Sequence, residues 1–369
     1  MTAQVLITGG AGFIGRRVAR ELMQAGDAVR ILDNLHEQVH GDGAGLDPAL
    51  REAELIRGDV RDRAAVDRAL RGCDRVVHLA AEVGVGQSMY AIERYTDVNE
   101  RGTAVLFEAL AANPVERVVV ASSMSVYGEG LYRDAEGNTV PDARRPDRAS
   151  GSWDPVDARG RPLTPVATPE WKPLALTSIY ALNKYAQERM ALILAPTYGM
   201  EAVALRLWNV YGPGQALSNP YTGVLAIFAS RALNGEPPLI FEDGRQRRDF
   251  VHVDDAAQAF QRALERPGAA GGVFNIGSGE DRSIAEVAEA LNAALGRPEL
   301  GAEIVGKMRA GDVRHNFPDI SAAHEALGYA PQVGFADGVA RLAEWLADQR
   351  AEDRVPGARR ELEARGLVA

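Results

Sequence analysis

The segment that most restricts the fold is Thr8-Gly9-Gly10-Ala11-Gly12-Phe13-Ile14-Gly15. It follows the short apolar run Gln4–Thr8 directly and opens a helix-length segment, Gly15–Ala25. Glycines at 9, 12 and 15 suit a tight turn, close approach of a pyrophosphate and close packing of helix on strand. The helix start would offer free N–H groups and a partial positive charge to phosphates. A glycine-rich turn elsewhere is only a turn; between a first strand and a first helix it indicates a dinucleotide site. Asp33 closes the second apolar run, Val29–Leu32, roughly 20 residues on, where a carboxylate reaches the adenosine ribose hydroxyls. It would repel a 2′-phosphate, so NAD is expected rather than NADP.

Short apolar runs and helix-length segments then alternate. Strands are predicted at Ala53–Arg57, Arg75–Leu79, Arg117–Ala121 and Ala202–Leu207, with helices at Arg63–Leu70, Asn99–Ala112 and Ser178–Leu194. This rhythm indicates βαβ units and a parallel sheet covered on both faces, a doubly wound (Rossmann) α/β fold. Helices at Tyr221–Asn234, Asp254–Glu265 and Ile284–Leu295, with strands at Pro238–Phe241 and Val273–Ile276, indicate a smaller, mixed α/β C-terminal domain. The expected division is a dinucleotide-binding domain over 1–205, rejoined by part of 250–277, and a substrate domain over 206–345. Segment 128–176 breaks the rhythm with Pro, Arg, Asp and Gly, and reads as an inserted lid, binding loop or disordered stretch. The charged tail, 346–369, reads as helix-like and broken at Pro356; no function attaches to it.

Composition narrows the partners. A formal net charge of −10 over 369 residues argues against nucleic acid. No stretch reaches membrane-spanning length, and the N-terminus lacks a signal-peptide pattern. Cys73 is the single cysteine, so an internal disulfide is impossible and a reducing, cytoplasmic setting is expected. His36, His40, His78, His252, His315 and His324 show no ligand spacing, so no metal is expected.

Tyr180-Ala181-Leu182-Asn183-Lys184 places a phenol and an ammonium on one helical face. An ordinary phenol, with a pKa near ~10, is too weak a base at neutral pH. A neighbouring ammonium and a positive nicotinamide ring would both favour the phenolate and pull that value down. Any helix can carry this pair by chance, but Lys172, Lys184 and Lys307 are the only lysines in the chain. Ser123, in Ala121-Ser122-Ser123-Met124-Ser125-Val126-Tyr127-Gly128, ends a strand at the edge where such sheets bind ligands. It could hydrogen-bond both a substrate oxygen and the tyrosine.

Together these residues resemble the extended short-chain dehydrogenase/reductase family, in its NAD-dependent nucleotide-sugar epimerase/dehydratase branch. The resemblance runs from Val5 to about Trp345. It includes Gly58-Asp59-Val60, His78-Leu79-Ala80-Ala81, Asn99, Asn209-Val-Tyr-Gly-Pro213, Arg248-Asp-Phe-Val-His252-Val-Asp-Asp255 and Arg309-Ala-Gly-Asp312. It implies that Phe13, Ile14, Asn34, Leu79, Ala80, Ala81, Asn99 and Ser122 line the NAD site with the glycines and Asp33. Asp59 and Val60 would contact adenine, and Lys184 the nicotinamide ribose. Ser125, Asn209, Leu225, Arg248, Arg309 and Asp312 would face the substrate, the arginines and Asn209 toward its diphosphate; a guanidinium fork suits that task in its own right.

Within this branch, dehydratases carry an Asp-Glu pair after the serine and decarboxylases a glutamate. Met124 and Ser125 stand there instead, and neither can transfer a proton as a carboxylate does. Cys73 lies far from these motifs, which disfavours cysteine-dependent 3,5-epimerisation. The expected reaction is C4 epimerisation through a transient 4-keto sugar. The insertion, with Trp153-Asp-Pro and Pro162-Leu-Thr-Pro, resembles that of 4-epimerases of dTDP-6-deoxyhexoses, which implies a substrate such as dTDP-L-rhamnose. Asn316, where hexose epimerases often carry a tyrosine bounding the sugar pocket, counts against simple UDP-hexose specificity. A UDP-hexose or UDP-hexuronate 4-epimerase and an NDP-4-keto-sugar reductase are the alternatives. A homodimer pairing the Asn99–Ala112 and Tyr180 helices is implied by the resemblance.

Overall fold

A computed structural model describes residues 2–40, 47–145, 153–217, 219, 221, 223–309, 311–349 and 353–368. Parts of the expected insertion (146–152) and tail (350–352 and 369), Thr222 of the expected helix at Tyr221 and Ala310 of the Arg309–Asp312 motif lie outside them.

The first half runs β1 (Gln4–Thr8), α1 (Phe13–Gln24), β2 (Ala28–Asp33), α2 (Glu37–His40), β3 (Glu54–Arg57), α3 (Arg63–Leu70), β4 (Arg75–His78), α4 (Val85–Ser88), α5 (Ile92–Thr96), α6 (Gly102–Ala112) and β5 (Arg117–Ser123). The inserted segment contributes β6 (Leu131–Arg133), β7 (Thr139–Val140) and β8 (Thr164–Val166). Then follow α7 (Ile179–Thr197), β9 (Glu201–Leu207), β10 (Asn209–Tyr211), α8 (Val224–Leu233), β11 (Leu239–Ile240), β12 (Arg247–Arg248), β13 (Phe250–His252), α9 (Val253–Glu265) and β14 (Val273–Ile276). The chain closes with β15 (Arg282–Ser283), α10 (Ile284–Ala294), β16 (Glu303–Ile304), β17 (His315–Asn316), α11 (Ser321–Leu327), α12 (Phe335–Leu346) and α13 (Val355–Ala364).

Seven strands form one parallel sheet in the order β3-β2-β1-β4-β5-β9-β14. Helices cover both faces, because strands such as β5 are buried along their whole length and need cover on each side. On one face α1 and α9 bury Val18, Leu22, Phe260 and Ala263. On the other, α3, α6 and α7 bury Val66, Leu106, Leu110 and Ala191. Strand order reverses at β1, and the carboxyl ends of β1 and β4 open the crevice where such sheets bind ligands. The doubly wound Rossmann-like fold is therefore present.

The C-terminal lobe packs α8, α10 and α12 around Leu225, Phe228, Leu291 and Leu342. Between its elements, segment 250–277 leaves for the large sheet: α9 packs on α1 and β14 is the edge strand. His252 caps α9 by accepting from the Asp254 N–H at 3.3 Å.

Two expectations are corrected, and one alternative left open is settled in part. The described part of the insertion carries secondary structure: β6 pairs with β7 and β8 as an antiparallel sheet. It is fixed by charge rather than by apolar periodicity. Arg145 pairs with Glu129 at 2.8 Å and with Glu242 at 2.6 Å, and the fully buried Arg314 pairs with Glu242, Asp243 and Asp154. The tail is not broken at Pro356. That proline sits in the first turn of α13, where its missing N–H has no partner to lose. The expected helix from Tyr221 begins at Val224, since Gly223 before it adopts a left-handed φ of 68°.

Candidate active site

The glycine turn is built for close backbone approach. Gly9 has φ +71°, and a Cβ there would meet Ala80 N at 2.8 Å; one on Gly15 would meet Gly9 O at 2.4 Å. α1 starts at Gly12 with no side chain capping it, so its first-turn N–H groups are left for a ligand. Gly9, Gly12, Phe13, Ile14 and Gly15 line one side of a cavity of about 500 Å³. Leu79, Ala80 and Ala81, following β4, line it too, as do Asp33, Asn34, Asp59 and Val60. Asp33 is held in place by the N–H groups of Ala11 and Leu35, at 3.1 and 2.9 Å. Asp59 accepts from Asn34 at 3.1 Å and pairs with Arg61 at 2.7 Å; those bonds, Arg61's first, hold its carboxyl at about 2. The residues present fit a dinucleotide. Asn99 does not line this cavity. Its buried amide clamps the Glu82 backbone, accepting at 2.7 Å and donating at 3.1 Å, and so shapes the loop that follows Ala81.

Ser122, Ser123, Tyr180 and Lys184 line the same cavity. Ser123 ends β5 and accepts from Ser125 N at 3.2 Å and Ser125 Oγ at 2.9 Å. Ser178 caps α7 by accepting from Ala181 N at 3.1 Å, and Tyr180 N donates to Ser88 Oγ at 3.0 Å. The helix start that presents Tyr180 is thus held twice. Burial pushes the Tyr180 phenol up to about 12, while its hydrogen bond with Ser123 pulls the other way. Burial also takes the Lys184 ammonium down to about 7. In the protein itself burial, opposed by the Ser123 hydrogen bond, sets the phenol, and Lys184 Nζ donates to Gln187 Oε1 at 2.8 Å.

A second cavity of about 280 Å³ adjoins the first, with Asn209 and Gly223 bordering both. Ser125, Asn209, Arg248, Arg309 and Asp312 line it. Arg248 donates to the carbonyls of Arg247 and Arg314, at 2.8 and 2.9 Å, and to that of Val313. Carbonyls fix the guanidinium without neutralising it, which leaves its charge for an anion. Arg309 pairs with Asp312 at 2.8 Å and lies over the Phe241 ring at 4.6 Å. One expectation fails here. Leu225 is buried in the lobe core; Val224 and Ile227, on the other side of the helix period, line the cavity. Asn316 lines neither cavity: its amide donates to Gly128 O at 3.1 Å and braces the turn after Ser123 from behind.

Several positioning residues were not foreseen. His78 bridges Thr8 (2.7 Å) and Thr103 (2.8 Å) beneath the sheet edge, and burial, with the Lys184 charge, holds its imidazole at about 3. Glu188, one turn beyond Lys184, makes a buried pair with Arg206 at 2.7 Å and accepts from Ser122 Oγ at 2.7 Å, locking α7 to β5 and β9. Phe241, Tyr221 and four residues of α13 also border the second cavity. The only signal for Glu188 was its position on the helix face of Lys184, since its partner lies on another strand. Asp249 and Asp255, in the Arg248–Asp255 motif, accept from loop N–H groups at 278–279 and 332–333.

The sequence profile of the NAD dependent epimerase/dehydratase family matches residues 5–149 and 156–277. The chain is 37% identical over 352 residues to dTDP-L-rhamnose 4-epimerase of Burkholderia thailandensis, covering 94% of this chain and 95% of that one. It is 31% identical to a dTDP-glucose 4,6-dehydratase of Streptomyces niveus, covering 94% of each. Among solved structures it is similar to the Thermus thermophilus UDP-glucose 4-epimerase complex with NAD, with a TM-score of 0.71 and 31% identity over 94% of this chain and 99% of that one. With a glycine cradle, Asp33 at the end of β2 and a Tyr/Lys/Ser group on one crevice, the chain belongs to the NAD dependent epimerase/dehydratase family and is an NAD-dependent epimerase.

Proposed function

We propose that this protein is a nucleotide-sugar 4-epimerase whose substrate is a dTDP-6-deoxyhexose such as dTDP-L-rhamnose. The observation that carries the reading is the meeting of two cavities. Ser123, Tyr180 and Lys184 face the dinucleotide side, and Arg248 and Arg309 face the adjoining side. Met124 and Ser125, following Ser123, supply no carboxylate for expelling water or assisting decarboxylation. The similarity to the Burkholderia dTDP-L-rhamnose 4-epimerase supports the choice of sugar. A UDP-hexose or UDP-hexuronate is the second choice, supported by the UDP-glucose 4-epimerase likeness.

When bound, NAD would supply reversible hydride exchange at C4 and a positive ring that, with Lys184, would favour the Tyr180 phenolate. Tyr180 takes the proton of the C4 hydroxyl while Ser123 donates a hydrogen bond to the same oxygen as it becomes a carbonyl. Arg248 and Arg309 hold the diphosphate, so the 4-keto sugar stays tethered as its ring turns. Tyr180 then returns the proton to the C4 oxygen, as the hydride would come back to the opposite face of C4. Lys184 holds the nicotinamide ribose, and Asp33 the adenosine ribose. A 4-keto-sugar reductase would use the same triad, but Asp33 disfavours the 2′-phosphate of the usual reductant.

We further propose a cytoplasmic homodimer through α6 and α7; the exposed Leu182 and Ile193 on α7 support that face. Among the described residues no helix is long and apolar enough to cross a membrane. Tyr180→Phe tests the mechanism: kcat is expected to fall about 10²–10⁴-fold with NAD still bound. Near-normal turnover would remove Tyr180 from its assigned role.

A further inference from the structure

The helix α13 is a wall of the second cavity that the chemistry above leaves unused. Val355, Ala358, Arg359 and Leu362 line that cavity from a single helical face, at spacings of three and four residues. Ile227, Leu239 and Phe241 line it as well, so this part of the cavity is apolar and suits a flat base. Leu362 also covers the Gly86 backbone, its methyls 3.6 and 3.7 Å from where a Cβ would stand.

A clasp fastens the helix across the crevice. Tyr90 Oη donates to Tyr221 Oη at 2.7 Å and Tyr221 Oη to Glu361 Oε2 at 3.3 Å, with Tyr90 Oη also 3.3 Å from that carboxylate oxygen. Tyr90 lies between α4 and α5 and Tyr221 just before α8, so Glu361 joins the two sides of the cleft. Arg365 stacks on the Tyr90 ring at 4.4 Å, and Val368 bridges to the Arg309 backbone. Asp353 pairs with the nearly buried Arg231 at 3.4 Å and pins the start of the helix; beyond that point the fastening is light. The carboxylate contacts are long for O–H donors, and the ion pairs Arg359–Glu303 (3.8 Å) and Lys307–Glu363 (3.2 Å) join partly exposed side chains, where such pairs contribute little. Among the described residues of this segment, only Ala358, Leu362 and Val368 are buried apolar anchors. An element that walls a ligand cavity and is held by few anchors has the makings of a gate.

We infer that α13 is a lid that closes over the base of the bound nucleotide-sugar and opens when the Tyr90–Tyr221–Glu361 clasp parts. The inference rests on the proposed reading of the second cavity as the nucleotide-sugar site. Trypsin reports the lid directly, because Arg359, Arg360 and Arg365 offer cleavage sites on it. The full-length, NAD-loaded protein is digested with and without dTDP or UDP, and binding of each nucleotide is measured by calorimetry. dTDP is expected to slow cleavage of the tail severalfold. Leu362→Asp, which puts a charge into the apolar seat, is expected to cleave quickly with or without nucleotide and to bind dTDP about tenfold more weakly. Its bound NAD and melting temperature should stay at wild-type values. Glu361→Ala keeps the apolar face and removes the clasp; faster dTDP dissociation is expected. Wild-type nucleotide affinity and release in both variants, with no protection by dTDP, would overturn the lid alone. If the wild-type protein binds neither dTDP nor UDP, the reading of the cavity fails and the lid with it.

Discussion

Gly15→Ala isolates the dinucleotide cradle from the rest of the molecule. The added Cβ would stand 2.4 Å from Gly9 O, 2.6 Å from Gly10 Cα and 2.8 Å from Gly10 C. All three atoms are backbone, so no side chain can swing aside. Restoring an ordinary contact of ~3.5 Å requires α1 and the glycine turn to part by about 1 Å. Over-packing of this kind costs about 1–3 kcal/mol, and the atoms that must move are those that approach the pyrophosphate. If most of that cost falls on the bound state, NAD affinity drops about 10–100-fold. Gly357→Ala serves as control: nothing lies within 4 Å of its Cβ, and its φ is not left-handed. The assay is NAD content per protomer after gel filtration, with thermal unfolding of both variants. Full retention of NAD by the Gly15→Ala protein would show that the turn does not set cofactor binding.

Two further perturbations act through buried polar groups. Glu188→Gln removes the charge opposite Arg206, whose side chain is 6% exposed beside a glutamate at 1%. Leaving that guanidinium unpaired should cost about 3–5 kcal/mol, read as a lower urea midpoint at unchanged m-value. For His78, the folded imidazole titrates at about 3, against ~6.5 when unfolded. The unfolded chain therefore binds the extra proton between those values, so this residue's contribution is complete above pH ~6.5 and is lost as pH falls toward 3. His78→Gln should flatten the fall in unfolding free energy across that window by up to about 1.4 kcal/mol per pH unit. Parallel curves for the two proteins would contradict the assignment.

How much of this was legible in the sequence depended on the range of the interactions. β1, α3 and β14 have the expected bounds because buried parallel strands are continuous apolar runs and α3 carries its own cap, Asp62. That the glycines and Asp33 would line one crevice was legible for the same reason: their placement follows from local backbone geometry at strand ends. The two-residue strands β12, β15 and β17 carry no period to detect, and their pairing is set by residues far along the chain. The small sheet in the insertion escaped notice because Arg145 and Arg314 find their carboxylates up to about 185 positions away, at Glu129, Asp154 and Glu242. Leu225 and Asn99 show the same limit at single residues. Each lies in the right segment, but which way a side chain faces is decided by tertiary packing. The tail was legible as charge alone; its contact with Tyr90 and Tyr221 is visible only once both sides of the cleft are assembled.

The most direct test of the central claim is incubation of the purified protein with dTDP-L-rhamnose, UDP-glucose or UDP-glucuronate, without added cofactor. Products are resolved by chromatography and proton NMR. Conversion of dTDP-L-rhamnose to its C4 epimer, sustained over many turnovers on the NAD that the protein carries, is the expected result. Conversion of a UDP-sugar instead would keep the reaction and change the substrate. Turnover that appears only with a 4-keto sugar and added NAD(P)H would contradict epimerisation and identify a reductase.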